Sequence, residues 1–258
     1  MNRLHLFELE DQTWFPDVIR KGITDYLQFA ANRIDLYLKV MPVIKKGLEK
    51  SGTNQIIDLG SGGGGGTKKV FDHLQAEGVD AKITLTDKFP NLDAFKAWDL
   101  ATDHKISYVS ESVDATAVPA ELKGLRTMFV AFHHFKPADA SHILEDAVRN
   151  NAPIAIFEAT ERSVVNFIAM LFSPIAAWVS VPFIKPFSWA RILFTYFIPL
   201  IPIALTWDGL VSVLRTYSVR EMKEMAEKLN ATDYEWEYGR IKTGKGPVVL
   251  YLLGYPKK

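Results

Sequence analysis

The chain contains no cysteine, which excludes disulfide bridges and thiolate metal sites. It has no excess of either charge. Thirty basic residues balance thirty acidic ones, so no overall pull toward nucleic acid or another polyanion is expected. No secretory leader is predicted, because Glu8, Glu10 and Asp11 interrupt the N-terminus before any long apolar stretch. No internal repeat is visible. No Gly-Lys-Ser/Thr follows the glycine cluster at the right spacing, which excludes a Walker A loop. At 258 residues there is enough chain for one full core and an accessory segment.

What is present centres on residues 56–70, IIDLGSGGGGGTKKV. Ile56 and Ile57 read as a buried strand, Asp58 follows, and five glycines run from Gly62 to Gly66. Thr67 is placed to cap a helix that begins there. A strand feeding a glycine turn that opens a helix presents backbone N–H groups at a positive helix terminus, a site for a polar ligand. A flexible Gly/Ser linker has a similar composition, but it needs no buried strand directly before it. Gly60, Gly62 and Gly65 satisfy the dinucleotide pattern G-x-G-x-x-G, a match that a glycine run makes almost automatically. A carboxylate at the strand tip, Asp58, would repel a pyrophosphate and suit a ligand carrying positive charge.

The order Asp58-Leu59-Gly60-Ser61-Gly62-Gly63-Gly64 resembles motif I of the class I S-adenosylmethionine-dependent methyltransferases, D/E-x-G-x-G-x-G. The opening LFELEDQTWFP resembles the start of a group of bacterial methyltransferases. The resemblance implies S-adenosylmethionine as cofactor, held by Asp58, Gly60, Ser61, Gly62 and Gly64. A strand at 81–87 ends on Asp87, 23 residues past Gly64. An acid at about this offset accepts hydrogen bonds from ribose hydroxyls, and Lys88 stands beside it. After a short strand at 106–109, Asp114 and Ala115 match the family's adenine contact. The fourth strand, 125–131, ends on Ala131 and runs into Phe132-His133-His134-Phe135, similar to several small-molecule methyltransferases. His133 and His134, with Glu158 near the end of a fifth strand at 153–160, are the candidate catalytic residues, as general base or to orient the acceptor. No metal is expected, since neither cysteine nor a further His-rich pattern accompanies the pair.

Five strands interleaved with helices, among them 67–77 and 137–150, predict an α/β fold with a Rossmann-like doubly wound sheet. Two terminal strands, 234–240 and 248–255, joined by a KTGKGP turn, bring the mixed sheet to about seven strands, the last antiparallel as in the family. Apolar residues from Val18 to Met41 recur at three- and four-residue steps, which predicts two helices over 17–50 broken near Pro42. The family places such helices over the cofactor and acceptor, so Trp14, Tyr26 and His134 are candidate substrate contacts. The expected organisation is a single methyltransferase domain, 1–258, with an N-terminal helical cap at 1–50 and a hydrophobic insertion at 163–210.

Within that insertion, residues 164–184 and 192–207 make up 37 uncharged positions, split by a turn containing Lys185, Trp189 and Arg191. The first run is long enough to span a bilayer, yet Pro174, Pro182, Pro199 and Pro202 would interrupt ordinary helices. Three readings stay open: a monotopic hairpin docked on the cytoplasmic membrane through 163–207, a buried lid or homodimer interface, and a transmembrane hairpin. The expected function is S-adenosylmethionine-dependent methylation of an oxygen, a nitrogen or a carboxylate on a small lipophilic or aromatic acceptor in the cytoplasm. Two alternatives remain beside it, a non-catalytic membrane-docked scaffold that binds the cofactor and an NAD-dependent oxidoreductase.

Overall fold

The computed structural model describes residues 1–242 and 246–257, so the centre of the expected KTGKGP turn lies outside the described residues. The chain forms two compact units, one of Met1–Ile34 with Thr160–Thr216 and one of Asp35–Ala159 with Tyr217–Lys258.

The second unit is built on a seven-stranded sheet. Its strands are β1 (Gln55–Leu59), β2 (Lys82–Thr86), β3 (Ile106–Tyr108), β4 (Leu125–Phe129), β5 (Ile154–Glu158), β6 (Tyr234–Ile241) and β7 (Val249–Pro256). Their order is β3-β2-β1-β4-β5-β7-β6. The first five pair in parallel, and β7 inserts antiparallel between β5 and β6. The doubly wound mixed sheet expected from the alternating pattern is therefore present. Strands β4 and β5 are buried along almost their whole length, as strands covered on both faces must be. Met128, Ile156 and Leu252 pack with Ile143 and Leu144 of α5 (Pro137–Arg149) and Met222 of α10 (Val219–Lys228). Helices α3 (Gly65–Ala76) and α4 (Leu92–Ala101) complete the crossovers between β1, β2 and β3.

The first unit is helical. Ile19, Ile23 and Tyr26 on α1 (Asp17–Arg33) share one face at helical spacing and pack with Ala177, Val181, Ile201 and Leu205. Those partners come from α7 (Ser173–Ser180), the 3₁₀ turn after it, and α9 (Leu200–Arg215). Helix α6 (Val164–Leu171) precedes them, and α8 (Trp189–Ile192) runs into a π turn at Leu193–Phe197. No single described helix is long and apolar enough to cross a membrane, and two bent pairs, 164–183 and 189–215, pass that test only jointly.

Several local expectations need correction. The N-terminal helical run breaks at residues 34–40, where Asp35 turns left-handed and a 3₁₀ segment follows. Pro42 breaks nothing, because it sits in the first turn of α2 (Met41–Ser51), where its missing N–H has no helical partner to lose. Thr67 does not cap α3. The helix starts at Gly65 with Gly64 as its left-handed cap, and Thr67 lies inside the first turn. Strand β4 stops at Phe129 rather than Ala131, since Val130 adopts φ +50°, which no β-branched residue tolerates in an extended strand.

Candidate active site

Asp58 occupies the fourth position of β1, directly opposite Leu85 on one side and Thr127 on the other. That register decides its role. The Thr127 hydroxyl donates to Oδ1 at 2.8 Å and the Thr67 hydroxyl to Oδ2 at 2.6 Å. The carboxyl is buried, and burial pushes its pKa up to about 6, against the lowering effect of the hydroxyl donors. Asp58 thus ties β1 to β4 and to the first turn of α3.

The loop beyond it is a backbone cradle. Gly60, Gly62 and Gly64 all have φ between +54° and +68°, conformations that glycine alone adopts without cost. Ser61 fixes the loop to β2: its N–H donates to the Thr86 carbonyl at 3.0 Å, and its hydroxyl accepts from the Thr86 N–H at 3.1 Å. The Trp98 indole N–H donates to the Gly63 carbonyl at 2.8 Å. At Gly66 a Cβ would stand 2.2 Å from the Tyr37 ring, so the aromatic ring lies directly on the helix start. Gly62 and Gly63, by contrast, face open space. That open arc is where a ligand can approach the backbone.

Asp87, just past the end of β2, accepts from the Gly62 N–H at 2.9 Å through Oδ2 and from the Phe89 N–H at 2.8 Å through Oδ1. A carboxylate has about four acceptor sites, so both oxygens keep capacity for hydroxyl donors. The Val113 N–H donates to the Asp87 carbonyl at 2.9 Å, which brings Asp114 alongside. Asp114 pairs with Lys88 at 2.9 Å and accepts from both the amide and the hydroxyl of Thr116. Together these hold its carboxyl down at about 2, with the Lys88 bond the largest cause. Ala115 is buried behind it. Ala131 faces Gly60, with 3.5 Å between its Cβ and the position a Gly60 Cβ would take. The structure therefore gathers Gly60, Ser61, Gly62, Gly64, Asp87, Lys88, Asp114, Ala115 and Ala131 around the carboxyl ends of β1 to β4, where open α/β sheets bind ligands.

The second cluster follows β4. Val130 holds its left-handed conformation with its N–H bonded to the Phe157 carbonyl at 2.7 Å. A non-glycine residue in that region stores strain of order 1–3 kcal/mol. The kink turns Phe132–His134 into a 3₁₀ segment. His133 is buried there, and Glu158 at the end of β5 holds it twice: Oε1 accepts its backbone N–H at 3.0 Å and Oε2 meets Nδ1 at 2.7 Å. The carboxylate thereby fixes the orientation of the imidazole ring. The His134 ring lies 4.3 Å from that of His133, centre to centre. All three expected catalytic side chains are together. Trp14 and Tyr26 belong to the first unit, Trp14 exposed and Tyr26 inside that unit's core. Tyr37 and Trp98 against the glycine loop, and Thr67 and Thr127 on Asp58, escaped sequence reasoning. A tyrosine within an apolar helical pattern reads as core, and nothing in a sequence shows which threonines face a buried carboxylate.

The chain has the fold of the class I S-adenosylmethionine-dependent methyltransferases. A plantazolicin methyltransferase in complex with SAH matches 96% of this chain and 94% of its own, at 13% identity and a TM-score of 0.55. An O-methyltransferase from neocarzinostatin biosynthesis, in complex with S-adenosylmethionine and 2-hydroxy-5-methyl naphthoic acid, matches 92% of this chain at 16% identity and a TM-score of 0.52. This chain spans 58% of that protein's length. A bacterial methyltransferase domain matches 84% of this chain and 97% of its own, at 12% identity and a TM-score of 0.50. No family model matches the chain, and no curated protein matches its sequence.

Proposed function

We propose that the second unit binds S-adenosylmethionine along the Gly60–Gly64 cradle and methylates a small lipophilic or aromatic acceptor. One observation carries the reading: the open backbone at Gly62 and Gly63 lies beside Asp87, whose carboxylate is already oriented by the Gly62 and Phe89 amides. The structurally similar proteins that hold S-adenosylmethionine or SAH support this cofactor over a dinucleotide. When bound, the cofactor supplies a methyl group on a positively charged sulfur. Asp87 would receive both ribose hydroxyls, and Asp114 with Ala115 would border the adenine. Asp58 is the internal brace that keeps the cradle open.

The protein's own contribution is positioning together with proton removal. The acceptor's proton would pass to the His133 ring, which the buried Glu158 carboxylate orients and, once protonated, would stabilise. His134 flanks the same turn and shapes the acceptor side. The exposed apolar side chains of residues 163–207 support a lipophilic acceptor and a protein docked at the cytoplasmic membrane surface, with a homodimer contact through that segment as the competing reading.

Calorimetry with S-adenosylmethionine, SAH and NADH tests the cofactor. Asp87→Ala should weaken S-adenosylmethionine binding about 10- to 150-fold, the value of hydrogen bonds to a charged group. Unchanged affinity, or tight NADH binding by the wild type, overturns the assignment. Mass spectrometry of products from a panel of lipids, phenols and carboxylic acids then identifies the acceptor. On that acceptor His133→Ala should cost about 10²–10⁴ in kcat with cofactor binding retained. A loss of only a few-fold removes His133 as base and leaves positioning alone.

A further inference from the structure

Eighteen large apolar side chains between Val164 and Trp207 are exposed. The charges within the same segment bear on what could cover them. Residues 163–207 carry no carboxylate and two cations, Lys185 and Arg191. Arg191 is buried and faces inward. Its Nη1 donates to Asp25 Oδ2 at 2.5 Å, and its Nη2 donates to the carbonyls of Ile184 and Pro186 at 2.7 and 2.6 Å. The 184–187 loop is thus braced from behind. On its outer side stand Phe183, 70% exposed, Phe187 and Trp189, 77% exposed, with the last two rings edge to face at 5.1 Å. Lys185 is exposed among them and makes no ion pair with any described residue.

We propose that this face docks the protein on an anionic phospholipid surface, Phe183, Phe187 and Trp189 entering the acyl boundary and Lys185 meeting the headgroups. Rigid aromatics and one lysine at a single braced loop match the chemistry of the membrane interface. The two apolar helix pairs bend by 46° and 78°, so they suit a layer lying in the interface better than straight spans. A second copy of the chain fits less well. A contact made through 163–207 would bury each Lys185 against a surface without a carboxylate, and an unpaired buried cation is costly. A bilayer with anionic lipid supplies the missing charge and covers the apolar face together. The inference rests on the membrane reading of 163–207 given above and is independent of the cofactor reading.

Sedimentation of the full chain with vesicles of phosphatidylcholine, with and without phosphatidylglycerol, tests it. Binding should rise with the anionic fraction, and brominated lipid should quench tryptophan emission, less so in Trp189→Phe. Lys185→Gln should weaken binding to anionic vesicles about fivefold, the value of one basic residue near such a surface. The triple variant Phe183→Ser, Phe187→Ser, Trp189→Ser should lose vesicle binding while keeping the wild-type circular dichroism and melting temperature. Failure to bind anionic vesicles overturns the proposal, whether the free protein is monomeric or self-associates. Equal binding of the triple variant overturns it as well. S-adenosylmethionine affinity, measured on the same variants, should not move.

Discussion

The two units differ sharply in the apolar surface that they expose. Of the 28 exposed large hydrophobic side chains among the described residues, the second unit contributes three, Phe89, Leu92 and Leu100, and the first contributes the other 25. The second unit follows the ordinary rule. Its helices turn apolar faces to the sheet, and its surface carries pairs such as Lys68–Asp72 and Lys105–Asp80. In the first unit Glu8, Arg191, Asp208 and Arg215 are buried while Trp189 and Phe197 stand exposed. Arg215 meets Glu8 and Asp11, and Asp208 accepts from the Leu9 and Glu10 amides at 2.6 and 3.1 Å. Its charges staple the N-terminal segment to α9 from within. A small helical layer that spends its polar groups internally leaves apolar side chains on its outer face, and such a face needs an apolar neighbour. Both units therefore use buried charge as internal bracing, as at Asp58 and Arg126 in the second and Arg191 and Arg215 in the first, but only the first leaves most of the exposed apolar side chains.

The contrast can be broken at its buried ion pairs. Arg126 and Asp146 of the second unit are each about 1% exposed and bond at 2.7 Å. Asp146→Ala should destabilise the protein by about 3–5 kcal/mol in urea unfolding, because it leaves the buried Arg126 guanidinium without its carboxylate. Arg191→Ala should cost less, since its partner Asp25 retains water contact. Equal costs would show that the first unit's interior is as dry as the sheet core.

Next in size is the pH response. Asp58 in one unit and Asp208 in the other are each pushed up to about 6, chiefly by burial, from 3.8. A folded-state pKa above the unfolded one means that the native state holds the extra proton between those values. Stability should therefore rise as pH falls from about 7 to 4. For fully buried Asp58 the gain is up to about 3 kcal/mol at roughly 1.4 kcal/mol per pKa unit. Asp58→Asn should flatten that part of the stability curve, and a curve that keeps its full slope would reassign the proton.

Gly66→Ala should cost about 1–3 kcal/mol, the range for overpacking, by forcing the Tyr37 ring off the start of α3. S-adenosylmethionine affinity should fall with it, whereas vesicle binding through the first unit should not change. The smallest effect is expected at the surface. Lys88→Ala should leave the melting temperature within error, because exposed ion pairs contribute little. An NMR titration should nevertheless show Asp114 returning from about 2 toward its ordinary value. A clear loss of stability instead would give that surface pair a structural role.

Much of the fold was legible in the chain itself, because each signal was local. Ile56–Ile57 before Asp58 and the glycines, and Ile154–Phe157, are short apolar runs whose burial follows from composition. The spacing from the glycine loop to Asp87 and the adjacent His133 and His134 likewise lie in the linear order. The tertiary structure alone decided what those residues face. Register set Thr127 opposite Asp58 and turned a carboxylate expected at a ligand into an internal brace. The kink at Val130 and the position of β5 brought Glu158 onto His133 from 25 residues away. The same holds for 163–207. Its 37 uncharged positions are apparent in the sequence, but which of them pack on α1 and which stand exposed depends on helix bends and on Arg191 reaching Asp25 across 166 residues. Periodicity reports which side chains avoid water. Only the three-dimensional path of the chain assigns each of them a partner, because partners far apart in sequence leave no mark on local order.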